Sequence, residues 1–383
     1  MSVTAAKGFS AAGVAAGLKS SGSPDVGLVV NDGPSHVAAA VFTSNRCKAN
    51  PVLWSEEAIK SGSAVAVVIN SGGANCYTGP EGFATTHHTA ETVATALGVG
   101  AIDVQVCSTG LIGLLNDRDA LLAGVHGALA ARSTDGGAAA ATAIMTTDTV
   151  AKESVAHGEG FAVGGMAKGA GMLAPALATM LVVITTDAKV DSAAADAALR
   201  AATAQTFDRL DSDGCQSTND TVLLMASGAS GIRPDEAAFT AAVSDVCRDL
   251  AMQLLADAEG ADHEIAIEVV NAATVDDALE VGRSVARSNL FKCAIYGKDP
   301  NWGRILASVG TTQAAFDPAN LDVALNGVWV CRNSGPGESP DSIDLTKREV
   351  SVTIDLKSGA ATGTIWTNDL TQAYVHENSA YSS

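Results

Sequence analysis

The stretch from Lys168 to Asp187 reads KGAGMLAPALATMLVVITTD, and it decides the fold prediction. Its apolar run, Met180 to Ile184, is too short to span a membrane and too rich in Val and Ile for a surface helix. The run therefore predicts a buried strand with Thr179 at its head. A threonine that opens a buried strand is either an ordinary strand residue or, once its hydroxyl is activated, a nucleophile.

A nucleophilic role for Thr179 requires a base that removes the hydroxyl proton. One known solution uses the residue's own α-amino group. Because an internal threonine has no free amine, the chain must first cut itself between Ala178 and Thr179. In that reaction the hydroxyl attacks the Ala178 carbonyl, the acyl group moves from nitrogen to oxygen, and water hydrolyses the ester. Pro175 stiffens the approach because its ring fixes φ.

Six further segments, spread over almost the whole chain, resemble the same protein family as residues 168–188 do. They are NSGGANCYTG from Asn70, CSTGLIG from Cys107, TTDT from Thr146, STNDT from Ser217, DPNWGR from Asp299 and the C-terminal HENSAYSS. The set resembles the ornithine acetyltransferase family, the arginine-pathway enzymes that move acetyl from N-acetylornithine to glutamate. The resemblance implies a self-cleaving ping-pong enzyme whose Thr179 becomes an N-terminal nucleophile and carries the acetyl group.

The segment CSTGLIG reads as a strand followed by a sharp turn. Such a turn can present backbone N–H groups and a hydroxyl to the oxygen that becomes negative in acyl transfer. From the residues alone, the alternative is an ordinary strand-to-helix turn capped by Ser108 or Thr109. The resemblance implies that Thr109 and Gly110 form an oxyanion hole.

Both substrates of the family carry an α-carboxylate, so their pocket needs a cation and several short hydroxyl or amide groups. Matching to the family, residue by residue, implies substrate contacts at Thr146, Lys168, Thr179, Glu259, Asn378 and Ser383. In this assignment Lys168 holds a carboxylate, and Glu259 holds the ornithine side-chain ammonium or the reacting amine. Without the resemblance, each charged residue is more often a solvated surface group.

Short apolar strands alternate with Ala-rich helical segments, which predicts a mixed α and β protein. The resemblance implies an α+β fold: a layered sandwich of β-sheets flanked by helices, formed jointly by both self-cleaved fragments, plus a smaller C-terminal α/β domain. The predicted domains are residues 1–270 and 271–383. The predicted fragments are an α chain, 1–178, and a β chain, 179–383, which stay associated as an α2β2 heterotetramer.

Periodicity and turn signals also predict individual elements. Predicted strands are residues 27–30, 36–43, 64–69, 104–107, 221–225, 264–270, 323–330, 349–356 and 363–367. Predicted helices are residues 91–97, 138–145, 192–210, 235–257 and 275–287.

Composition narrows the class of partner and the compartment. The formal charge of -19 and the pI near 4.6 argue against nucleic acid or an anionic membrane, because both would repel the surface. The seven cysteines are scattered and form no CxxC pair, which indicates neither a disulfide framework nor a zinc ribbon. Without a recognisable secretion signal or bilayer-length apolar run, the expectation is a cytoplasmic protein that binds small charged metabolites.

Nucleotide and metal motifs fit the sequence poorly. The glycines of KGAG loosely match the dinucleotide fingerprint, but Pro175 follows where a helix should run. The adjacent His87 and His88 do not share a helical face as a metal-binding i, i+4 pair would. No metal or bound cofactor is therefore expected, and acetyl-CoA is left open as a second acetyl donor.

Three alternatives to a monofunctional acetyltransferase remain open. An autoprocessed amidohydrolase or aminopeptidase would use the same nucleophile but let water take the acyl group. A non-catalytic amino-acid-binding protein would keep the pocket without the cut. A bifunctional relative would also accept acetyl-CoA.

The sequence departs from the family pattern at three places. Residues 116–118 read Asn-Asp-Arg instead of Leu-Pro-Met, residues 258–263 read AEGADH instead of GEGATK, and Ser383 stands where threonine is common. None of these positions is the predicted nucleophile or an oxyanion residue. They bear on substrate preference rather than on the chemistry.

Overall fold

Two β-sheets lie face to face in the N-terminal part of the chain, in a computed structural model that describes residues 2–172 and 180–380. The strands of the first sheet are Phe9–Val14 (β1), Val26–Asn31 (β2), Ala66–Asn70 (β4) and Val104–Ser108 (β5), in the order β1-β2-β4-β5. Those of the second are Val37–Phe42 (β3), Lys152–Gly158 (β6), Phe161–Lys168 (β7), Leu181–Thr186 (β8) and Thr221–Ala226 (β9), in the order β3-β9-β8-β7-β6.

Helices pack against both sheets, mostly on their outer faces, and the helix of residues 137–143 packs in the core between the sheets. In chain order they are Asn50–Ala58 (α1), Gly79–Leu97 (α2), Arg118–Ala131 (α3), Gly137–Ala143 (α4), Ser192–Gln205 (α5) and Glu236–Ala256 (α6). Helices α2 and α3 pack on the four-stranded sheet, and α5 and α6 pack on the five-stranded sheet. The N-termini of α5 and α6 are capped by Asp191 and Asp235, whose carboxylates accept backbone N–H bonds.

Strand β8 shows why the run 180–184 is continuously apolar. Leu181 and Val183 face the core between the two sheets, together with Val67 and Ile69 of β4. The alternate residues Val182 and Ile184 face α5 and α6. Since successive side chains of a strand point to opposite faces, a strand that is buried on both faces must be apolar throughout. Each fully buried side chain of this kind contributes about 1.5–3 kcal/mol to folding.

The C-terminal part of the chain forms a third sheet with its own core. Its strands are Glu264–Ala272 (β10), Asp322–Leu325 (β11), Val328–Arg332 (β12), Gly335–Pro336 (β13), Glu349–Asp355 (β14) and Ala361–Asn368 (β15), in the order β13-β12-β11-β14-β10-β15. Its helices are Val275–Ala286 (α7), Asn289–Tyr296 (α8) and Trp302–Val309 (α9), and the helix Gln372–Ala380 (α10) follows the last strand. Strand β10 belongs to this sheet and spans the predicted domain boundary.

The predicted sandwich of β-sheets flanked by helices is confirmed. The five-stranded sheet contains strands from both sides of the predicted cleavage bond: β3, β6 and β7 precede it, and β8 and β9 follow it. Strand β7 pairs antiparallel with β8 from Val163 opposite Thr186 to Lys168 opposite Leu181. Two fragments cut between these strands would therefore share one hydrogen-bonded sheet and one core.

Three element predictions are wrong. The helix predicted at 192–210 ends at Gln205, and a separate 3-10 turn, Phe207–Arg209, follows it. Residues 323–330 form a hairpin rather than one strand, because Asn326 and Gly327 both have positive φ, 47° and 81°, and make the tight turn between β11 and β12. The helix predicted at 91–97 begins twelve residues earlier, at Gly79. Its first turns are rich in threonine, and Thr85 and Thr89 donate their hydroxyl hydrogens to carbonyls four residues back.

Candidate active site

One cavity gathers every predicted site residue that the structure describes. Its volume is about 260 Å³. The predicted residues that line it are Thr109, Gly110, Thr146, Lys168, Glu259 and Asn378. They come from five separate segments of the chain, so only the fold brings them together. Ala178, Thr179 and Ser383 lie outside the described residues.

Lys168 is fixed in the wall of this cavity by its strand and by Asp148. It ends β7 and is 2% exposed. Its ammonium lies 4.0 Å from Asp148 Oδ2. Burial lowers the pKa of the Lys168 ammonium, and the Asp148 carboxylate opposes that shift. Because the side chain is almost fully buried, few waters compete for the ammonium, and it is suited to receive a substrate carboxylate.

Asp148 accepts hydrogen bonds from several groups next to the cavity. Its Oδ1 accepts hydrogen bonds from Lys152 Nζ at 2.7 Å and from the Gly169 N–H at 2.6 Å, and its Oδ2 accepts from the Thr146 N–H at 2.9 Å. Burial opposes ionisation, but Lys168, Lys152 and the Gly169 amide outweigh it and lower the pKa of the Asp148 carboxyl to about 2. The carboxylate thereby ties the segment TTDT to the end of β7.

Thr109 has the hydrogen-bonding pattern of an oxyanion donor. Its backbone N–H donates to Asn70 O at 2.9 Å and is therefore already in use. Its side-chain oxygen accepts a hydrogen bond from Lys168 Nζ at 3.3 Å. Because a hydroxyl both accepts and donates, the Thr109 hydrogen stays available and is made more acidic by the ammonium. The side chain of Thr109, rather than its amide, is thus the donor that this geometry offers.

Gly110 supplies a backbone N–H beside that hydroxyl. This N–H has no hydrogen-bond partner within residues 2–172 and 180–380. The residue has φ of +126°, and a Cβ built on it would lie 2.9 Å from Gly73 N. Only glycine fits both the backbone conformation and the close approach to the segment NSGGAN.

Asn219 holds the turn before Thr109 in place. Its amide nitrogen donates to Ser108 O at 2.7 Å and to Ala74 O at 2.6 Å, which uses both of its hydrogens. Thr218 donates its hydroxyl hydrogen to Asn219 Oδ1 at 2.5 Å. The motif STNDT therefore clamps the motif CSTG, although the two lie more than a hundred residues apart in the chain.

Two carboxylates, those of Asp213 and Glu259, also line the cavity. Asn378 Nδ2 donates to Glu259 Oε2 at 3.0 Å, and the Glu259 N–H donates to Ala170 O at 3.0 Å. A Cβ on Gly171 would lie 2.6 Å from Glu259 Oε2, so the second glycine of KGAG makes room for this side chain. Burial, with the nearby acidic groups Asp213 and Glu259, raises the pKa of the Tyr374 hydroxyl to about 12 and keeps it protonated.

The wall of the cavity therefore carries charges of both signs. Among the described residues of its wall, Lys168 lies beside the oxyanion donors, whereas Asp213 and Glu259 are the carboxylates. An amino acid carries charges of both signs, and such a wall offers each of them a partner of opposite charge.

Several lining residues are missing from the sequence-based prediction. They are Thr147, Gly171, Met172, Asp213, Cys215 and Tyr374. Thr147 lies in the motif TTDT and Gly171 in KGAG, so their position beside predicted site residues could have indicated them. Asp213, Cys215 and Tyr374 lie in ordinary polar sequence, and only the folded chain reveals their position.

Neither a metal cluster nor a membrane span is found in the described part of the chain. No group of three or more His, Cys, Asp or Glu side chains is arranged to hold a metal ion there. Within residues 2–172 and 180–380, none of the helices combines the length and apolarity needed to cross a bilayer.

The departure at residue 263 has a clear structural setting. His263 is 4% exposed, and its Nδ1 lies 2.7 Å from Asp369 Oδ2 while its Nε2 lies 3.1 Å from Leu345 O. Asp369 Oδ1 also accepts the His263 backbone N–H at 2.9 Å. In its protonated form the imidazole gives Asp369 a cationic partner, as the lysine of the usual pattern could.

Comparison with known proteins adds an independent finding. A family model described as "ArgJ family" matches residues 10–383. The arginine biosynthesis bifunctional protein ArgJ of Streptomyces coelicolor is 64% identical to this chain, and the alignment covers 100% of both proteins. The protein of the same name from Mycobacterium leprae is 54% identical over 100% of this chain and 96% of its own length.

A solved structure is also similar in sequence. It is the crystal structure of ornithine acetyltransferase complexed with ornithine from Mycobacterium tuberculosis. It is 53% identical, with a TM-score of 0.45, and the match covers 47% of this chain and 96% of that chain.

Proposed function

This chain belongs to the ArgJ family, and we propose that it is a self-cleaving glutamate N-acetyltransferase of arginine biosynthesis that moves acetyl from N-acetylornithine to glutamate. The observation that carries the proposal is the single cavity lined by Thr109, Gly110, Lys168, Glu259 and Asn378, which combines hydrogen-bond donors, a cation and a carboxylate. Acyl transfer between two amino acids needs an oxyanion site beside a zwitterion site, and this cavity combines them.

The first step is the cut. The Thr179 hydroxyl attacks the Ala178 carbonyl, the peptide C–N bond breaks as the Thr179 amine leaves, and an ester joins Ala178 to the Thr179 oxygen. Water then hydrolyses the ester, which leaves the carboxylate of Ala178 on the α chain, 1–178. The β chain, 179–383, begins with Thr179, whose free α-amine serves as general base for its own hydroxyl.

The second step is acetyl transfer. The Thr179 oxygen attacks the acetyl carbonyl of N-acetylornithine, while the Thr109 hydroxyl and the Gly110 N–H donate to the developing oxyanion. The carbon–nitrogen bond of the acetamide breaks, and ornithine leaves as the amine. The amine of glutamate then attacks the acetyl-threonine ester and restores the free hydroxyl.

Several charged and polar side chains of the cavity wall bind the substrates. Lys168 receives a substrate carboxylate, Thr146 contributes a short hydroxyl, and Glu259, steadied by Asn378, receives the ornithine ammonium or the reacting amine. Ser383, at the C-terminus, completes the set. No bound cofactor takes part. The Streptomyces coelicolor relative is named a bifunctional protein, so acetyl-CoA is tested as a second donor.

The cellular form follows from the same proposal. The two fragments remain one unit because β7 and β8 are hydrogen-bonded neighbours in one sheet. Two such units make an α2β2 heterotetramer in the cytoplasm. The proposed division is a catalytic domain, residues 1–270, and a smaller C-terminal domain, residues 271–383, with the boundary falling inside β10, whose side chains pack in the C-terminal core.

The proposed function is tested by intact-mass measurement and one assay of the same preparation. We expect two polypeptides whose junction lies between Ala178 and Thr179. With N-acetylornithine and glutamate, N-acetylglutamate and ornithine should form in equal amounts, and a parallel reaction offers acetyl-CoA as the donor. Acetate released without N-acetylglutamate would instead identify an amidohydrolase, and an uncut chain that only binds amino acids would contradict both enzymatic assignments.

Removal of the C-terminal segment should weaken binding more than chemistry. Deleting residues 376–383 removes Asn378, whose amide contacts Glu259, and also Ser383. We expect KM for N-acetylornithine to rise about tenfold or more, since a hydrogen bond to a charged group contributes about 1.5–3 kcal/mol. The value of kcat should change little, because the deletion removes neither of the proposed oxyanion donors, Thr109 and Gly110.

A pair of point variants controls for helix disruption. Asn378→Ala should raise KM in the same direction as the deletion. Ser379→Ala should not, because the Ser379 hydroxyl only donates to His376 O within α10. Unaltered KM values in both the deletion and Asn378→Ala would show that the C-terminal helix is not part of the binding site.

A further inference from the structure

A second cavity shares the proposed oxyanion residues with the active-site cavity. Its volume is about 200 Å³, and Thr109, Gly110 and Met172 line both cavities. The two spaces therefore meet where an acyl carbonyl oxygen would accept hydrogen bonds in the proposed reaction. An acetyl group carries only one methyl beyond its carbonyl carbon and does not fill a space of this size.

The wall of the second cavity is apolar where that of the active-site cavity is charged. Ala74, Leu111, Ile112 and Met172 supply apolar side chains, and no charged residue is among the described residues that line it. Leu111 and Ile112 are 37% and 45% exposed. A ligand group that covered these two side chains would remove apolar surface from water, so the wall favours an apolar ligand.

The polar side chains of this wall are already hydrogen-bonded to protein atoms. Ser217 Oγ accepts the Asn219 N–H at 3.1 Å, and the Thr218 hydroxyl donates to Asn219 Oδ1 at 2.5 Å. The Asn219 amide nitrogen donates to Ala74 O and to Ser108 O. A ligand that enters the cavity therefore does not need polar groups to replace bonds that these side chains would lose.

Backbone hydrogen bonds hold the apolar wall in place. The Ala74 N–H donates to Leu111 O at 3.0 Å, and the Gly113 N–H donates to Cys76 O at 2.9 Å. These bonds join the motif NSGGANC to the motif CSTGLIG on both sides of Ile112. The second cavity is thus built by the same two segments that position the oxyanion residues.

We propose that the second cavity is an acyl-chain pocket, and that the enzyme transfers linear acyl groups of three and four carbons from N-acylornithine to glutamate, besides acetyl. This inference rests on the proposed function and widens its class of donor. The nucleophile oxygen forms an ester as the acyl carbon–nitrogen bond breaks, and ornithine leaves as the amine. The glutamate amine then takes the acyl group and restores the free hydroxyl, so no further reactant is needed.

The geometry of an amide directs the chain into the second cavity. The acyl carbon is trigonal, so its oxygen, its nitrogen and its alkyl chain point in three different directions. With the oxygen at Thr109 and Gly110, the amino-acid part occupies the charged cavity and the chain enters the apolar one. An engineered apolar cavity of about 150 Å³ holds a benzene molecule, so a space of about 200 Å³ admits a four-carbon chain.

A series of donors tests the inference on the unmodified, fully cut enzyme. N-acetyl-, N-propionyl- and N-butyrylornithine are each offered with glutamate, and the N-acylglutamate formed is measured. We expect kcat/KM for the two longer donors to lie within about tenfold of that for N-acetylornithine. If the site closed directly behind the methyl group, each added methylene would cost about tenfold or more. A loss greater than about tenfold for N-butyrylornithine would overturn the inference.

N-succinylornithine is the matched control for the chemistry of the pocket. Its acyl group also has four carbons, but it ends in a carboxylate, for which the apolar wall offers no partner. We expect its kcat/KM to be at least about a hundredfold below that of N-butyrylornithine. Equal values for the two donors would mean that the chain points into solvent, and the pocket assignment would be wrong.

A pair of leucine variants tests the location of the pocket. Leu111 lines it, whereas Leu115, in the same loop and 43% exposed, is not among the residues that line either cavity. We expect Leu111→Ser to lower the ratio of kcat/KM for N-butyrylornithine to that for N-acetylornithine by about tenfold, and Leu115→Ser to leave it unchanged. An unchanged ratio in Leu111→Ser would overturn the assignment. Should that variant not fold, Ile112→Ser replaces it with the same expectation.

Failure of this inference is distinguishable from failure of the proposed function. If N-acetylornithine supports N-acetylglutamate formation and the longer donors do not, only the acyl-chain pocket is overturned. If N-acetylornithine itself gives no N-acetylglutamate, the proposed function fails and the inference fails with it.

Discussion

Thr179→Ala is expected to yield one uncut polypeptide of 383 residues with no acetyl transfer. The substitution removes the oxygen that attacks the Ala178 carbonyl, so the peptide bond is not broken and no α-amine is released. It also removes the atom that would carry the acetyl group. Both functions of the residue are lost together, and activity should fall by at least about a millionfold, to the uncatalysed level.

Thr179→Ser is the control for this experiment. Serine keeps the hydroxyl and loses only a methyl group, so the chain should still be cut and should retain measurable transfer. Intact mass reports the cut, and N-acetylglutamate formation reports transfer. A Thr179→Ala protein that is found as two fragments, or that still transfers acetyl, would refute the nucleophile assignment.

The fold predicts how the cut protein behaves. Six residue pairs join β7 to β8 across the junction, and both strands are buried. A denaturing gel should therefore separate two fragments that migrate as one particle under native conditions. Cutting a connection does not remove the apolar contacts on either face of the sheet, which supply most of the stabilisation.

The sequence predicts a strand well where both faces of the strand are buried. Strand β8 is recognisable because both of its faces are buried, which makes residues 180–184 continuously apolar. The hairpin β6–β7 was not predicted, since glycines interrupt its second strand. A Cβ on Gly164 would lie 2.3 Å from Ser2 O, and one on Gly165 would lie 2.8 Å from a Val246 methyl. Glycine is needed at these positions because a larger side chain would not fit, and strand propensities do not take such close contacts into account.

The active-site prediction shows a similar division. Thr109, Lys168 and Glu259 were assigned through motifs, and they lie in one cavity. The sequence alone gives Asp148 of TTDT and Asn219 of STNDT no role of their own, although their hydrogen bonds hold the cavity together. Their partners are distant in sequence, so no local pattern gives them a role. Supporting hydrogen bonds of this kind become visible only when the chain is folded.

Thr109→Val is expected to lower kcat on the order of a hundred- to a thousandfold, with KM nearly unchanged. Valine matches threonine in shape, and the site is 1% exposed, so packing is preserved. What disappears is the hydroxyl that Lys168 polarises from 3.3 Å. A donor that binds only the developing oxyanion contributes to the transition state and not to substrate binding, and its removal costs about 3–4 kcal/mol.

Thr109→Ser separates the loss of the hydroxyl from a change in packing. It keeps the donor and the contact to Lys168, and kcat should remain within about tenfold of the unmodified protein. Both variants must be assayed as fully cut protein. The same donors would assist the attack on the Ala178 carbonyl, so a variant that cuts slowly would show a lower kcat even if acetyl transfer itself were unchanged. Equal kcat in fully cut Thr109→Val and Thr109→Ser would mean that the side-chain hydroxyl is not an oxyanion donor. The Gly110 N–H, which has no hydrogen-bond partner among residues 2–172 and 180–380, would then carry that role alone.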